Sequence, residues 1–260
     1  MANSHLTVTL QACSATPRYN FPDITIHGGR FVHVLGPNGA GKSSLLSLLA
    51  GILEPERVTL YQSSLQVKDD GPDKLTKETA EIVLTPNDTV WHHQRGFYSA
   101  QYEPNFALKV ADILQFFALD SSPSDHGITL APEIENVFAI RQFWDRPITE
   151  LSTGQQNRVH LARVCQQIYP ALQRGQGMLL LDEAFSGLDI YYQQQLMALL
   201  QRWVALGNII VHAHHELHSL IKYPDDEALV IAEGELMHRG RIAALGWSNI
   251  YQTIFHVATI

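Results

Sequence analysis

The chain has only two cysteines among 260 residues, Cys13 and Cys165, far apart and in no CxxC pattern. That excludes a disulfide framework and fits unpaired thiols in a reducing compartment. Basic residues are also few: 18 Lys and Arg stand against 26 Asp and Glu, a net charge of −8 with no long basic run. Binding to a nucleic-acid backbone draws on clustered Lys and Arg, so nucleic acid is not an expected partner. No apolar run approaches the roughly 20 residues that span a bilayer. The opening MANSHLTVTLQACSATPR lacks the basic-then-apolar order of a secretory signal. The expected location is therefore the cytoplasm, with any membrane process served by docking to other subunits. With 45% hydrophobic and 17% charged residues, the chain has the composition of a globular protein rather than a disordered one.

What is present is an alternation of short apolar runs and helical segments. Leu6 to Gln11 alternates like a half-buried strand, Asp23 to Ile26 continues that sheet, and Gly28-Gly29 turns the chain. Phe31 to Leu35 reads as a buried strand and Ser43 to Ala50 as a helix ending at Gly51. Residues 62–94 are polar and aperiodic and read as a loop or hairpin excursion. Helical patterns cover Val110 to Leu119, Ile134 to Trp144 and Gly154 to Gln167, with a loop at Ser121 to Asp125. Strand character returns at Gly177 to Leu181 and Asn208 to Val211, with a helix from about Tyr191 to Ala205 between them. A last hairpin spans Glu227 to Arg241 around Gly234. The order predicts an α/β core interrupted by a mostly helical lobe.

Residues 36–43 read GPNGAGKS and match GxxxxGK[ST] in full. Gly36, Gly39 and Gly41 permit backbone angles closed to residues with a Cβ, so successive N–H groups of this loop, which also carries Pro37, Asn38 and Ala40, can turn inward around phosphate oxygens. The following helix aims its positive end at the same anion. Lys42 is expected on the β- and γ-phosphates, the Ser43 hydroxyl on Mg²⁺, and Ser44 on a further phosphate oxygen. Residues 178–183, MLLLDE, read as a buried strand ending in two acids. Asp182 is placed to complete the Mg²⁺ shell, and Glu183 to orient or deprotonate an attacking water.

Residues 151–163, LSTGQQNRVHLAR, resemble the signature of the ATP-binding-cassette family, LSGGQ followed by a helix of the QRVxxAR type. Leu151, Ser152, Gly154 and Gln155 match, as do Arg158, Val159, Ala162 and Arg163; Thr153 replaces the middle glycine. The rest of the family's order follows. The segment Phe97 to Gln101 resembles the strand into the Q-loop, which implies that Gln101 contacts Mg²⁺ and water. SGLD at 186–189 resembles the D-loop, with Asp189 reaching across a dimer. VHAHHEL at 211–217 resembles the switch region, with His215 as its histidine and His212 and His214 as neighbours. Ala184 stands where the family usually has Pro. Tyr19 is the candidate adenine-stacking aromatic. The cluster His212 to His218 also admits a metal-site reading, weaker than the switch reading.

The resemblance implies a P-loop NTPase core of the cassette type, with an antiparallel β subdomain and an inserted α-helical subdomain. It places the core at 1–101 and 166–260 and the helical lobe at 102–165. It implies ATP and Mg²⁺ as ligands and a head-to-tail homodimer, in which Ser152, Thr153, Gly154 and Gln155 of one copy close over ATP on the other. A single phosphate loop, about 110 residues between Lys42 and Ser152 without heptads, and acidic charge favour a transporter over ribosome-acting or repair-type members. The expected partners are then transmembrane permease subunits, with a substrate-binding protein upstream, at the cytoplasmic face of the membrane. The core is most similar to the ATP-binding subunits of importers for cobalamin, the first expectation, and for iron chelates including siderophores and heme.

Overall fold

The computed structural model describes residues 5–69, 75–100, 107–116, 130–215, 220, 222–247 and 250. Its layers follow from strands buried on both faces. The strands β1 (His5–Leu10), β2 (Cys13–Ala15), β3 (Tyr19–Phe21), β4 (Ile24–His27) and β5 (Arg30–Leu35) lead into helix α1 (Lys42–Leu49). Next come β6 (Val58–Asp69), β7 (Leu75–Leu84), α2 (Thr89–Gln94) and β8 (Arg95–Ser99). The helical stretch holds α3 (Val110–Phe116), α4 (Pro132–Phe138), α5 (Thr153–Gln167) and α6 (Tyr169–Gln173). The chain then runs through β9 (Met178–Asp182), α7 (Ile190–Ala205), β10 (Ile209–His214), β11 (Glu227–Ala232) and β12 (Glu235–Arg241).

Eight of these strands form one sheet in the order β2-β3-β12-β11-β5-β10-β9-β8, and β4-β1-β6-β7 form a second, antiparallel sheet. From β11 to β8 the neighbours in the large sheet are parallel. Such strands must be apolar on both sides, as in FVHVL and MLLLD. Alternate residues serve opposite faces. Val32, Val34, Val211, Ala213 and Leu180 enter the core shared with α1 and the antiparallel sheet. Phe31, Ile210, Leu179 and Leu181 enter the core beneath α5 and α7. Helix α7 buries Leu196, Leu199, Leu200 and Trp203, the i, i+3, i+4, i+7 stripe of a core-facing helix.

Asn208 locks the return from α7 into β10. It is fully buried, accepts from Gly177 N at 2.7 Å, and donates to the carbonyls of Leu172 and Trp203 at 2.8 Å each. Asn208→Ala leaves one amide and two carbonyls without those partners. The expected loss is about 2–4 kcal/mol, read as a lower urea midpoint at unchanged slope.

Several expectations are refined. The polar stretch 62–94 is a long hairpin, β6 paired with β7 from Leu60↔Leu84 to Asp69↔Leu75, followed by α2. The single helix expected over Ile134 to Trp144 breaks at Ala139, whose φ of 49° lies in the left-handed region. The Glu135 carboxylate compensates by accepting from the backbone N–H groups of Ile140 and Arg141 at 3.1 Å each, and a 3₁₀ turn follows at Arg141–Phe143. Ser121 to Asp125 lies outside the described residues. No helix among the described residues is long and apolar enough to cross a membrane.

Candidate functional site

Four neighbouring parallel strands, β5, β10, β9 and β8, end at one edge of the sheet, where ligand crevices form in open α/β sheets. Each delivers a different piece of chemistry there. Strand β5 runs into the glycine loop, and Gly41, at φ 103°, is the left-handed residue that starts α1. Lys42, only 6% exposed, donates to the carbonyls of Gly36 at 2.9 Å and Pro37 at 3.0 Å, bracing the loop from within. Burial pushes the Lys42 ammonium down from the usual lysine range, and the carboxylates of Glu183 and Asp182 oppose that shift. Those acids, some 140 residues later, are thus electrostatic neighbours of the loop.

Asp182 closes β9 in a buried position. Burial pushes its carboxyl up; the Ser43 hydroxyl bonded to it pulls it down, Glu183 adds to the rise, and Lys42 opposes it. Its Oδ1 is buried without a hydrogen-bond partner. An orphaned anionic oxygen beside a serine hydroxyl is an unfinished oxygen shell of the type hard divalent cations take. The pair Ser43 and Asp182 therefore fits Mg²⁺.

Glu183 follows in a left-handed conformation, φ 51°, with its N–H tied to the Ala213 carbonyl at 2.9 Å. A non-glycine residue held there carries local strain. Its Oε1 stands 3.7 Å from Nδ1 of His215, and both side chains are exposed enough to meet a ligand. The next residue, Ala184, is fully buried. A cavity of about 220 Å³ opens beside this pair, lined by Glu183, Ser186, His212, His214, His215 and Tyr223 among others. Ala100, the residue after β8, donates its N–H to the Asp182 carbonyl at 3.2 Å; Gln101 lies outside the described residues.

The segment 152–155 starts α5. Ser152 is its N-cap in a reciprocal capping box: the Ser152 hydroxyl accepts from Gln155 N at 3.4 Å, and Gln155 Oε1 accepts from Ser152 N at 3.0 Å. Thr153 is the first helical residue. Gly154 is required by close approach, because a Cβ there would stand 2.6 Å from the Gly187 carbonyl oxygen. Asn157 adds a bond to the Ser186 carbonyl at 3.0 Å. The segments 152–157 and 186–189 are therefore docked on each other within one chain. Asp189 caps α7 through its Oδ1 to Tyr192 N at 3.1 Å. A second cavity of about 310 Å³ lies over Ser152, Gly154, Gln155 and Asp189. No hydrogen bond among the described residues joins 152–155 to the loop 36–44.

Tyr19 does not offer the expected stacking face. It is 7% exposed, lies flat on Phe21 with centroids 5.8 Å apart, and gives its hydroxyl to Glu54 Oε1 at 2.5 Å. Its ring is a core residue. His212 and His214, expected beside the switch, turn inward beneath the sheet edge, both buried. Burial first, and the nearby His33 second, hold the His212 ring down to about 3, so it stays neutral.

The family model described as ABC transporter matches residues 20–186, well over half of the chain. The chain belongs to the ABC transporter family. Among curated relatives of this cassette, a hemin import ATP-binding protein, HmuV, of Bradyrhizobium diazoefficiens is 30% identical over 238 residues, covering 91% of this chain and 82% of the relative. A vitamin B12 import ATP-binding protein, BtuD, of Vibrio cholerae serotype O1 is 29% identical over 235 residues, covering 88% and 85%. Among solved structures, an inward-facing metal-chelate type ABC transporter superposes with a TM-score of 0.67 at 21% identity, covering 98% of this chain and 90% of that one. The ADP conformation of an ATP-binding cassette of an ABC transporter gives 0.60 at 17%, covering 96% and 99%. The cassette fold is the P-loop NTPase core expected from the loop and signature. His33 is the residue at this edge that local patterns miss. It sits inside the apolar run FVHVL, and only the register of β5 against β10 brings it to His212.

Proposed function

We propose that this cassette binds MgATP and hydrolyses it as a head-to-tail homodimer, on the cytoplasmic face of a membrane, to drive an importer. The observation that carries this reading is the convergence of Lys42, Asp182 and the Glu183–His215 pair at one sheet edge. Residues Gly36, Pro37, Asn38, Gly39, Ala40, Gly41, Lys42, Ser43 and Ser44 cradle the phosphates. Ser43 and Asp182 would hold Mg²⁺, with Gln101 as a further ligand, and the ion would supply charge neutralisation at the transferring phosphoryl group. Glu183 takes the proton of the attacking water, and His215 sets its position. Ser152, Thr153, Gly154 and Gln155, with Asp189, belong to the partner's pocket. Their capping and docking bonds pre-form that edge as a rigid unit, which makes isologous closure over two nucleotides possible. The helical lobe at 102–165 would receive the permease.

For cargo, we propose a metal-bearing tetrapyrrole, cobalamin first. Support comes from the relatives named for vitamin B12 import, 29% identical in the Vibrio cholerae case, and the relatives named for hemin import, 30% identical in the Bradyrhizobium case, give hemin as the second reading. The test is reconstitution with the cognate permease and binding protein in proteoliposomes. ATP-dependent uptake of cobalamin, and not of hemin, is the expected result; uptake of hemin alone would shift the cargo to the second reading, and uptake of neither would remove both.

A further inference from the structure

Three histidines from two distant stretches of the chain meet on one face of the large sheet. His33 on β5 is the register partner of His212 on β10, and His214 lies two residues further along the same strand, so all three point to the same side. They are buried, and one ring nitrogen from each lies within 4.8 Å of the others. His33 Nδ1 is 3.0 Å from His214 Nε2. On its other side His33 Nε2 meets Asp226 Oδ2 at 3.1 Å, and Gln201 holds the same oxygen at 3.1 Å. The His212 ring is stacked on His214 at 4.6 Å between centroids, and neither of its nitrogens has a hydrogen-bond partner.

We propose that His33, His212 and His214 form a binding site for one first-row transition-metal ion, with Zn²⁺ as the preferred occupant. A network of hydrogen bonds alone accounts for His33, His214 and Asp226. It leaves His212 as a buried imidazole with two unsatisfied nitrogens, a costly arrangement without a ligand. An imidazole set suits zinc, cobalt, nickel or copper and not magnesium, which demands oxygen, so the site is chemically separate from Ser43 and Asp182. Asp226 supplies the support that metal-bound histidines use. By accepting from Nε2–H of His33 it fixes the tautomer that leaves the Nδ1 lone pair facing His214. Nitrogens on a tetrahedral zinc at 2.0–2.1 Å stand about 3.3 Å apart. The His33–His214 pair is already near that spacing, and the remaining nitrogen separations, at most 4.8 Å, close by side-chain torsion. Both histidines of β10 also line the 220 Å³ cavity, which leaves room for water as the fourth ligand.

The test uses the full chain, stripped with chelator and free of nucleotide, so its outcome is independent of the ATPase reading. Titration with Zn²⁺ should show one equivalent bound. X-ray absorption at the zinc edge on the wild-type chain should show three imidazole nitrogens, and Co²⁺ should give the intense visible bands of a tetrahedral site. His212→Gln should weaken binding by at least about 100-fold and Asp226→Asn by about 10- to 100-fold. His212→Leu, which seats an apolar side chain in the same pocket, should abolish the zinc-induced rise in Tm. Exposed His92→Gln and His93→Gln should leave affinity unchanged. No bound equivalent in the wild-type chain, an oxygen-dominated shell, or full affinity in both His212 variants would overturn the proposal.

Discussion

Glu183→Gln is expected to slow ATP turnover by about 10²- to 10⁴-fold while leaving ATP affinity unchanged. The amide has the same shape, stays beside His215, and sits at the same left-handed backbone position, so the pocket is preserved. What it loses is the capacity to accept a proton from water. On the proposed reading, closure is held by contacts that hydrolysis removes, so the stalled variant is expected to persist as an ATP-bound dimer. Phosphate release and size-exclusion chromatography with MgATP read the two effects separately. Turnover near the wild-type rate would remove Glu183 from the chemistry.

Lys42→Ala acts one step earlier, on binding. Charge-assisted hydrogen bonds contribute about 1.5–3 kcal/mol each, so losing the ammonium should weaken ATP binding by about 100-fold. The same side chain braces the carbonyls of Gly36 and Pro37, so part of the loss will come from a loosened loop. Tm without nucleotide separates the two contributions. A small shift there together with a large loss of affinity identifies a phosphate contact, whereas unchanged affinity would contradict the cradle. Lys42→Ala and Glu183→Gln are thus distinguishable: one fails to load and the other fails to turn over.

The parts of the site that rest on neighbouring residues were legible in the sequence. A run of glycines between a strand and a helix dictates its own backbone, and four apolar residues ending in two acids dictate a buried strand with carboxylates at its tip. The helical pattern read from Gly154 falls within one residue of the start of α5 at Thr153, where a capping box closes within Ser152 to Gln155. What was not legible depends on partners far away in the chain. Tyr19 looks like an available aromatic until Glu54 takes its hydroxyl and Phe21 covers its face. The hairpin of β6 and β7 is set by pairing with β1, not by periodicity of its own. The break at Ala139 depends on the Glu135 carboxylate folding back on two N–H groups. His33, hidden in an apolar strand, acquires meaning only through parallel register with β10.

The central claim is that each nucleotide is enclosed by two copies of the chain, with GPNGAGKS from one and LSTGQ from the other. The most direct measurement is a structure of the Glu183→Gln protein with MgATP. The Ser152 hydroxyl and the Gly154 N–H should stand about 3 Å from γ-phosphate oxygens cradled by Lys42 of the opposite copy. A bound triphosphate with Ser152 remote from every γ-phosphate, in its own copy and in any other, would contradict the account.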